Sequence, residues 1–157
     1  RNNDSIGREI VRPMKNAKGK LLLPVVGRLI FKFGEKGKGG ATHKGVTILS
    51  EWGAQVVAPY DGNVAFAGLF RGYGKLLIIE HNEGYHTLIS GMKKIDSAVG
   101  QMLHAGEPIG YMSDKLTTDA GSNPLLYMEI RLDGLPINPL PWLAVYNIKL
   151  EKSKVNG

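Results

Sequence analysis

Glycine constrains the fold of this chain most, because 21 of its 157 residues are glycine and 8 more are proline. Glycine makes up about 13% of the sequence, against roughly 7% in average proteins. Both residue types favour tight turns and interrupt long helices. The apolar runs between them recur roughly every 8–12 residues, which predicts a mostly-β protein. We expect an antiparallel β-sheet or barrel-sandwich with few short helices.

The apolar runs predict nine strands. The run at 75–80 is apolar on both faces, which indicates a central buried strand. A short helix is predicted over residues 5–12, ended by Pro13. The predicted strands span residues 21–26, 29–33, 46–49, 55–58, 63–69, 75–80, 85–90, 107–112 and 125–132.

The predicted strand 125–132 has the clearest alternation. The residues predicted to face the core are Leu126, Met128, Ile130 and Leu132. The residues predicted to face outward or into a groove are Leu125, Tyr127, Glu129 and Arg131. Successive side chains of a strand point to opposite faces, so loss of a side chain from the second face should leave folding almost unchanged. Glu129 is interpreted as an orienting or salt-bridged residue near Arg131.

Composition excludes several classes of protein. The sequence has no cysteine, which excludes a disulfide scaffold, a thiolate zinc site and a cysteine nucleophile. It has no apolar run of the roughly 18 residues that a membrane-spanning helix needs, so we expect no direct membrane insertion. The chain starts at Arg1 without a signal peptide, and we interpret it as a mature or excised fragment.

The net charge of +6 is unevenly distributed. Residues 1–44 hold eleven Lys and Arg against three acidic residues, a balance of +8, which leaves −2 for the rest. No aromatic residue precedes Phe31, so this basic stretch lacks the interleaved aromatics of a nucleic-acid surface, and we expect no nucleic-acid partner. We divide the chain into a basic N-terminal arm or linker at 1–20, a domain at 21–143 and a C-terminal tail at 144–157.

Two motifs resemble the LytM (lysostaphin-like) zinc metallopeptidase domain. Residues 40–48 read GATHKGVTI, and residues 53–64 read GAQVVAPYDGNV. The resemblance covers roughly 21–143 and implies the LytM fold. Further matching segments lie at 72–75, 79–81, 85–88, 99–101, 105–110, 126–131 and 137–139.

The zinc ligands that the resemblance implies are largely missing. The family uses a His-x-x-x-Asp pair, and its histidine matches His43 while its aspartate falls on Thr47. The His-x-His pair of the family falls on Leu125 and Tyr127, and a further active-site histidine falls on Gly91 or nearby. A catalytic zinc needs three protein ligands and an open water position. We therefore predict a domain that is not an enzyme and holds neither a metal nor another cofactor, with His43 as a residual family position.

These losses are similar to those of the degenerate LytM domains of murein hydrolase activators. That resemblance implies a protein of the Gram-negative periplasm that binds cell-wall amidases (N-acetylmuramoyl-L-alanine amidases) and activates them during cell division and daughter-cell separation. It also implies an upstream coiled coil, outside this chain, that docks on the FtsEX membrane complex. The predicted partner-binding groove comprises Lys44, Thr47, Tyr73, Leu125, Tyr127 and Arg131.

Two alternatives to an activator stay open at this point. One is a peptidoglycan endopeptidase with a displaced zinc site, and the other is a module that holds peptidoglycan in the same groove. The arm at 1–20 either gates the groove or is a linker.

Overall fold

The computed structural model describes residues 11–115 and 121–144, and these residues form two antiparallel sheets. The strands are β1 Gly27–Phe31, β2 Val46–Ser50, β3 Gln55–Val57, β4 Gly62–Phe70, β5 Gly74–Glu80, β6 Tyr85–Ser90, β7 Lys94–Ile95, β8 Met102–Leu103, β9 Pro108–Tyr111, β10 Leu125–Leu132 and β11 Leu135–Ile137. The large sheet has the order β1-β2-β10-β6-β5-β4-β8, with β11 paired to β10, and the small sheet has the order β3-β9-β7.

Three 3₁₀ turns of three residues each lie wholly within the described residues, at Met14–Asn16, Lys38–Gly40 and Leu140–Trp142. The mostly-β prediction with few short helices is confirmed. No helix of the described ranges has both the length and the apolar character needed to cross a membrane.

The hydrophobic core lies against one face of the large sheet. Leu77, Ile79, Ile89, Met128 and Ile130 alternate along β5, β6 and β10 and are fully buried. The small sheet contributes Val56 and Ile109 to the same core, and the chain ends of the described region contribute Met14, Ala17, Trp142 and Leu143. The other face of the large sheet is left for the groove.

Strand β10 holds the centre of the large sheet. It pairs with β6 along one edge, and with β2 and then β11 along the other. Its bounds, Leu125–Leu132, are those that the alternation predicts. The predicted core face is confirmed for Leu126, Met128 and Ile130, whereas Leu132 is only half-buried at the strand end.

The predicted strand at 21–26 is wrong. This segment makes an isolated bridge between Leu21 and Leu143, and its other backbone groups serve loop contacts. The Leu22 amide donates to the carbonyl of Pro59, and the carbonyl of Pro24 accepts from Val57. Pro24 has no amide hydrogen and cannot contribute a donor to a ladder, which favours this irregular path.

Three short strands, β7, β8 and β11, were not predicted. Two of them have only two residues, too few for a pattern of alternation to be visible. The predicted helix at 5–12 falls mainly on residues 1–10, outside the described residues, and residues 11 and 12 are not helical.

Residues 12–18 of the predicted arm pack on the domain. Met14 and Ala17 are fully buried in the core, and the Met14 amide donates to Oδ1 of Asn82 over 2.7 Å. The Arg12 guanidinium holds Asp61 through Nε at 3.0 Å and Nη2 at 3.1 Å. Arg12 also lies over the ring of Tyr60, 4.7 Å from its centroid. This part of the chain is tied to the body of the domain.

Candidate functional site

A row of three side chains crosses the face of the large sheet that is turned away from the core. Tyr127 of β10 lies opposite Thr47 of β2 and opposite Ser90 of β6. Residues paired in this way point to the same face of a sheet. The pairing therefore places Thr47, Tyr127 and Ser90 side by side on the groove floor.

Glu129 is the centre of this face. Its side chain is 2% exposed and accepts hydrogen bonds on both oxygens. Tyr127 donates to Oε2 over 2.6 Å, and Tyr73 donates to the same oxygen over 3.0 Å. Arg131 Nε donates to Oε1 over 2.8 Å. A buried carboxylate is costly unless it is paired and hydrogen-bonded, and these three groups meet that requirement.

Arg131 closes the network. Its Nη2 donates to the hydroxyl of Tyr73 over 3.2 Å, and its Nη1 donates to the carbonyl of Gly134 over 3.3 Å. The interpretation of Glu129 as a salt-bridged residue near Arg131 is confirmed. The guanidinium thus links β10 to the loop residue Tyr73, which precedes Arg131 by 58 positions.

The loop between β4 and β5 brings Tyr73 over the sheet. Gly72 and Gly74 have φ of 88° and 78°, a backbone region that residues with a Cβ rarely adopt. The Tyr73 amide donates to the carbonyl of Phe70 over 3.0 Å and closes the turn. The Tyr73 ring lies 6.3 Å from that of Tyr127, centroid to centroid. The glycines at both sides of Tyr73 let this turn fold back onto β10.

Burial and hydrogen bonding keep both phenols protonated. Burial raises the pKa of Tyr127, and the hydrogen bond to Glu129 and the charge of that carboxylate raise it further. The pKa of Tyr73 is also raised, by burial and by the charge of Glu129. Burial lowers the pKa of Arg131, but the hydrogen bond to Glu129, the charge of that carboxylate and the contact with Tyr73 together outweigh burial, and the net shift is upward. The site therefore contains two neutral phenols, a carboxylate and a guanidinium.

These residues surround an open groove of about 440 Å³. It is lined by Gly72, Tyr73, Ser90, Tyr127 and Glu129. Of the predicted groove residues, the structure brings Tyr73, Tyr127 and Arg131 into one network and places Thr47 beside Tyr127.

The two remaining predicted residues lie at the margin. Leu125 is 45% exposed, two positions before Tyr127 on the same face of β10. Lys44 is exposed immediately before Gly45 and β2. Their part in binding stays a prediction.

Glu129, Ser90 and Gly72 line the groove but were not among the predicted partner-binding residues. Glu129 shares its strand face with Tyr127 and Arg131, so the same alternation placed it there. An acidic residue between two predicted groove residues was the available signal. Ser90 carried no such signal, because the pairing of β6 with β10 joins segments far apart in sequence.

The residues at the family's zinc positions do not fit a zinc ion. Leu125 has no ligand atom, and the phenol of Tyr127 is a protonated donor committed to Glu129. His43 stacks on Phe31, with ring centroids 4.7 Å apart, and its buried Nε2 lies against Gly37. The described residues contain no group of three or more His, Asp or Glu placed to hold a metal.

The backbone at Gly91 leaves no room for a side chain. Its φ is 108°, and a Cβ built there would lie 2.3 Å from the carbonyl oxygen of Leu125. A histidine at this position therefore requires the neighbouring strand to shift. The interpretation of Gly91 as the position of the lost histidine rests on the family resemblance.

His81 belongs to the core and not to the groove. It is 5% exposed, with Nδ1 2.6 Å from the carbonyl oxygen of Asp61 and Nε2 2.7 Å from Oγ1 of Thr87. Burial lowers its pKa to about 4. His81 is therefore neutral near pH 7 and has a structural role.

The fold and the groove define the class of the domain. The sequence pattern of peptidase family M23 matches residues 41–139, and the chain belongs to this family as a LytM-type domain. Among solved structures, the antimicrobial peptidase lysostaphin from Staphylococcus simulans aligns with a TM-score of 0.65 at 22% identity, over 77% of this chain and 51% of lysostaphin. At that identity the likeness shows a shared fold.

Two relatives have more similar sequences. The murein hydrolase activator EnvC of Escherichia coli (strain K12) is 33% identical over 127 residues, covering 81% of this chain and 30% of EnvC. The murein hydrolase activator NlpD of the same organism is 36% identical over 121 residues, covering 76% of this chain and 30% of NlpD. The chain thus spans about a third of the length of the curated relatives it matches.

Proposed function

We propose that this domain is a non-enzymatic activator of cell-wall amidases, the N-acetylmuramoyl-L-alanine amidases, and that it binds them through its groove. The observation that carries the proposal is the hydrogen bond from Tyr127 to Glu129 in the row where the family has zinc ligands. A protonated phenol, and a buried carboxylate that already accepts three hydrogen bonds, are poorly suited to activating a water molecule. Two relatives are named murein hydrolase activators, which also supports an activating role.

The groove has the composition of a protein-binding surface. Tyrosine and arginine are enriched among residues that anchor protein interfaces, and they act best where a rigid network holds them. Tyr73 and Tyr127 are held by Glu129, so their rings keep one orientation before a partner arrives. Leu125 adds an exposed apolar side chain next to them. We infer that a segment of the amidase lies across these three side chains.

The similarity to murein hydrolase activators also supports a cellular setting. We place the domain in the Gram-negative periplasm at the division site, where activated amidases separate daughter cells. Contact with FtsEX would be made by a region outside this chain. Cell-wall amidases are the direct partners that the groove would bind.

The test is a titration of a purified periplasmic amidase with the domain. Tyr127→Ala should weaken binding by about 1–3 kcal/mol, or roughly 5- to 150-fold. Leu135→Ala is the control, since Leu135 is 70% exposed on β11 and outside the groove lining. Both variants are first checked for folding by urea unfolding. Equal affinity of folded Tyr127→Ala and parent would contradict the groove assignment.

Two further measurements separate the alternatives. A zymogram that clears with the domain alone, and stops clearing with a chelator, would instead support a zinc endopeptidase. Cosedimentation with purified cell wall, without a partner protein, would support a peptidoglycan-binding module. An activator should give neither of these two results, and it should stimulate the amidase.

A further inference from the structure

A second concave region lies where the two sheets meet, and lysine side chains line it. One cavity of about 540 Å³ is bordered by Lys75, Lys93, Lys94 and Tyr111. A neighbouring cavity of about 280 Å³ shares Lys75 and Lys94 and includes Ser97. We call this region the lysine cleft, defined by Lys75, Lys93, Lys94, Ser97 and Tyr111. None of these residues lines the groove at Tyr127.

Backbone contacts hold the cleft in shape. Lys75 Nζ donates to the carbonyl of Lys93 over 2.6 Å, which ties β5 of the large sheet to the segment before β7. The Lys93 amide donates to the carbonyl of Tyr111 over 2.8 Å. These bonds fix Lys75 and Lys93 at one opening without using the ammonium of Lys93, and the pairing of Lys94 with Tyr111 places the third lysine beside them.

The lysines keep donors for a ligand. Lys94 Nζ lies 3.6 Å from Oδ1 of Asp96, and an ammonium has three hydrogens to donate. For Lys93, no ion pair is found among residues 11–115 and 121–144. The buried hydroxyl of Ser97 has no hydrogen-bond partner in the described part of the chain. The lysine cleft therefore carries polar groups that the described part of the fold leaves available to a ligand.

We propose that the lysine cleft binds an acidic peptide segment through its carboxylates. Asp96 and Asp114 lie at the same cleft, so its net charge is small. Nucleic acids need a stripe of unopposed positive charge along their phosphates, and anionic membranes need a similar surface on an exposed face. A concave site with lysines and a 43% exposed tyrosine instead fits a short chain that carries both carboxylates and apolar atoms. The proposal is independent of amidase binding at the groove.

The experiment follows amide chemical shifts of the ¹⁵N-labelled domain during titration with acetylated triglutamate amide. We expect shifts at residues 93–95 and 111–112, weaker binding at high salt, and no shifts with the triglutamine analogue. The double variant Lys93→Gln, Lys94→Gln should bind triglutamate about tenfold more weakly, since two ammonium contacts are lost. Lys75 is kept in this variant because its ammonium joins the two sheets.

A matched control removes the same charge elsewhere. Lys20→Gln, Lys38→Gln changes two exposed lysines outside the cleft and should bind triglutamate within twofold of the parent. Absence of triglutamate binding, or an equal loss in both double variants, would overturn the proposal. Equal shifts with inorganic phosphate would show a general anion site instead. Lysine-dependent binding of phosphatidylglycerol vesicles in place of triglutamate would assign the cleft to a membrane.

Discussion

The hydroxyl of Tyr127 donates to Glu129 over 2.6 Å, from a position two residues earlier on the same face of β10. The phenol thus stands where the family resemblance places a zinc-binding histidine, and it satisfies a buried carboxylate instead. The groove has a rigid hydrogen-bonded floor at this position. The residues proposed to bind the partner are therefore also expected to contribute to folding stability.

Arg131→Met should lower the free energy of unfolding by about 1–3 kcal/mol, because buried Glu129 then loses its cation. Arg131 is partly exposed, which keeps the expected loss below that of a fully buried pair. Urea unfolding at pH 7 measures it. Arg71→Met, at an exposed loop position, is the control and should change stability by less than about 0.5 kcal/mol. This prediction differs from the sequence-based expectation that loss of a side chain from this face leaves folding almost unchanged, because the structure shows Arg131 bonded to buried Glu129.

Gly91→Ala should destabilise the domain by about 1–3 kcal/mol. The φ of 108° is strained for alanine, and its Cβ would lie 2.3 Å from the carbonyl oxygen of Leu125. Gly121→Ala is a matched control, because a Cβ at that position meets no atom of residues 11–115 or 121–144 within 4 Å and its φ lies outside the left-handed region. Thermal unfolding of both variants gives the comparison. Equal stability of the two variants would mean that β10 can shift at Leu125 at little cost in free energy.

The domain should lose stability as the pH falls from about 6.5 toward 4, because the folded state holds His81 neutral. The pKa of His81 is lowered to about 4 in the folded chain, while an unfolded histidine titrates near 6.5. The unfolded state therefore binds the proton first, and the contribution is fully present above pH 6.5. The full shift corresponds to about 3 kcal/mol.

The measurement is urea unfolding at several pH values between 7 and 4.5. His81→Gln should flatten this dependence, whereas His104→Gln, at an exposed position, should retain it. An unchanged slope in His81→Gln would assign the acid sensitivity to other groups. The pKa of Asp61 is lowered by its hydrogen bonds to Arg12 and to the Ala105 amide, which outweigh burial, so its contribution is lost below this window.

Met14→Ala should cost about 2–5 kcal/mol, the usual range for emptying a core site. Met14 is fully buried although it lies within the stretch that the sequence assigns to a linker. Val26→Ala, at a position 81% exposed, is the control and should be nearly neutral. A small effect of Met14→Ala would show that residues 12–18 detach easily. Any test of gating by the N-terminal arm should therefore remove residues 1–10 and keep Arg12 and Met14.

The sequence predicted the β-rich fold and the bounds of β10 because both depend on local properties. Alternation with a period of two assigns each side chain to a face wherever one face is buried, as for Met128 and Ile130. Turn residues end the strands on either side. The strand expected at 21–26 failed for a non-local reason, since its backbone groups bond to Pro59 and Val57 in preference to a neighbouring strand.

The sequence by itself determined that Tyr127, Glu129 and Arg131 share one face. Its family resemblance implied that active-site residues of the family are replaced at positions 47, 125 and 127 and at 91 or nearby. Only the tertiary structure decided that Tyr73, 56 residues before Glu129, donates to the same carboxylate as Tyr127. It also decided that Ser90 lies beside Tyr127 and that Met14 enters the core. Alternation is a property of a single strand, whereas these contacts depend on the order β2-β10-β6-β5 in the sheet. That order is set by burial of many distant side chains at once, and no short stretch of sequence contains it.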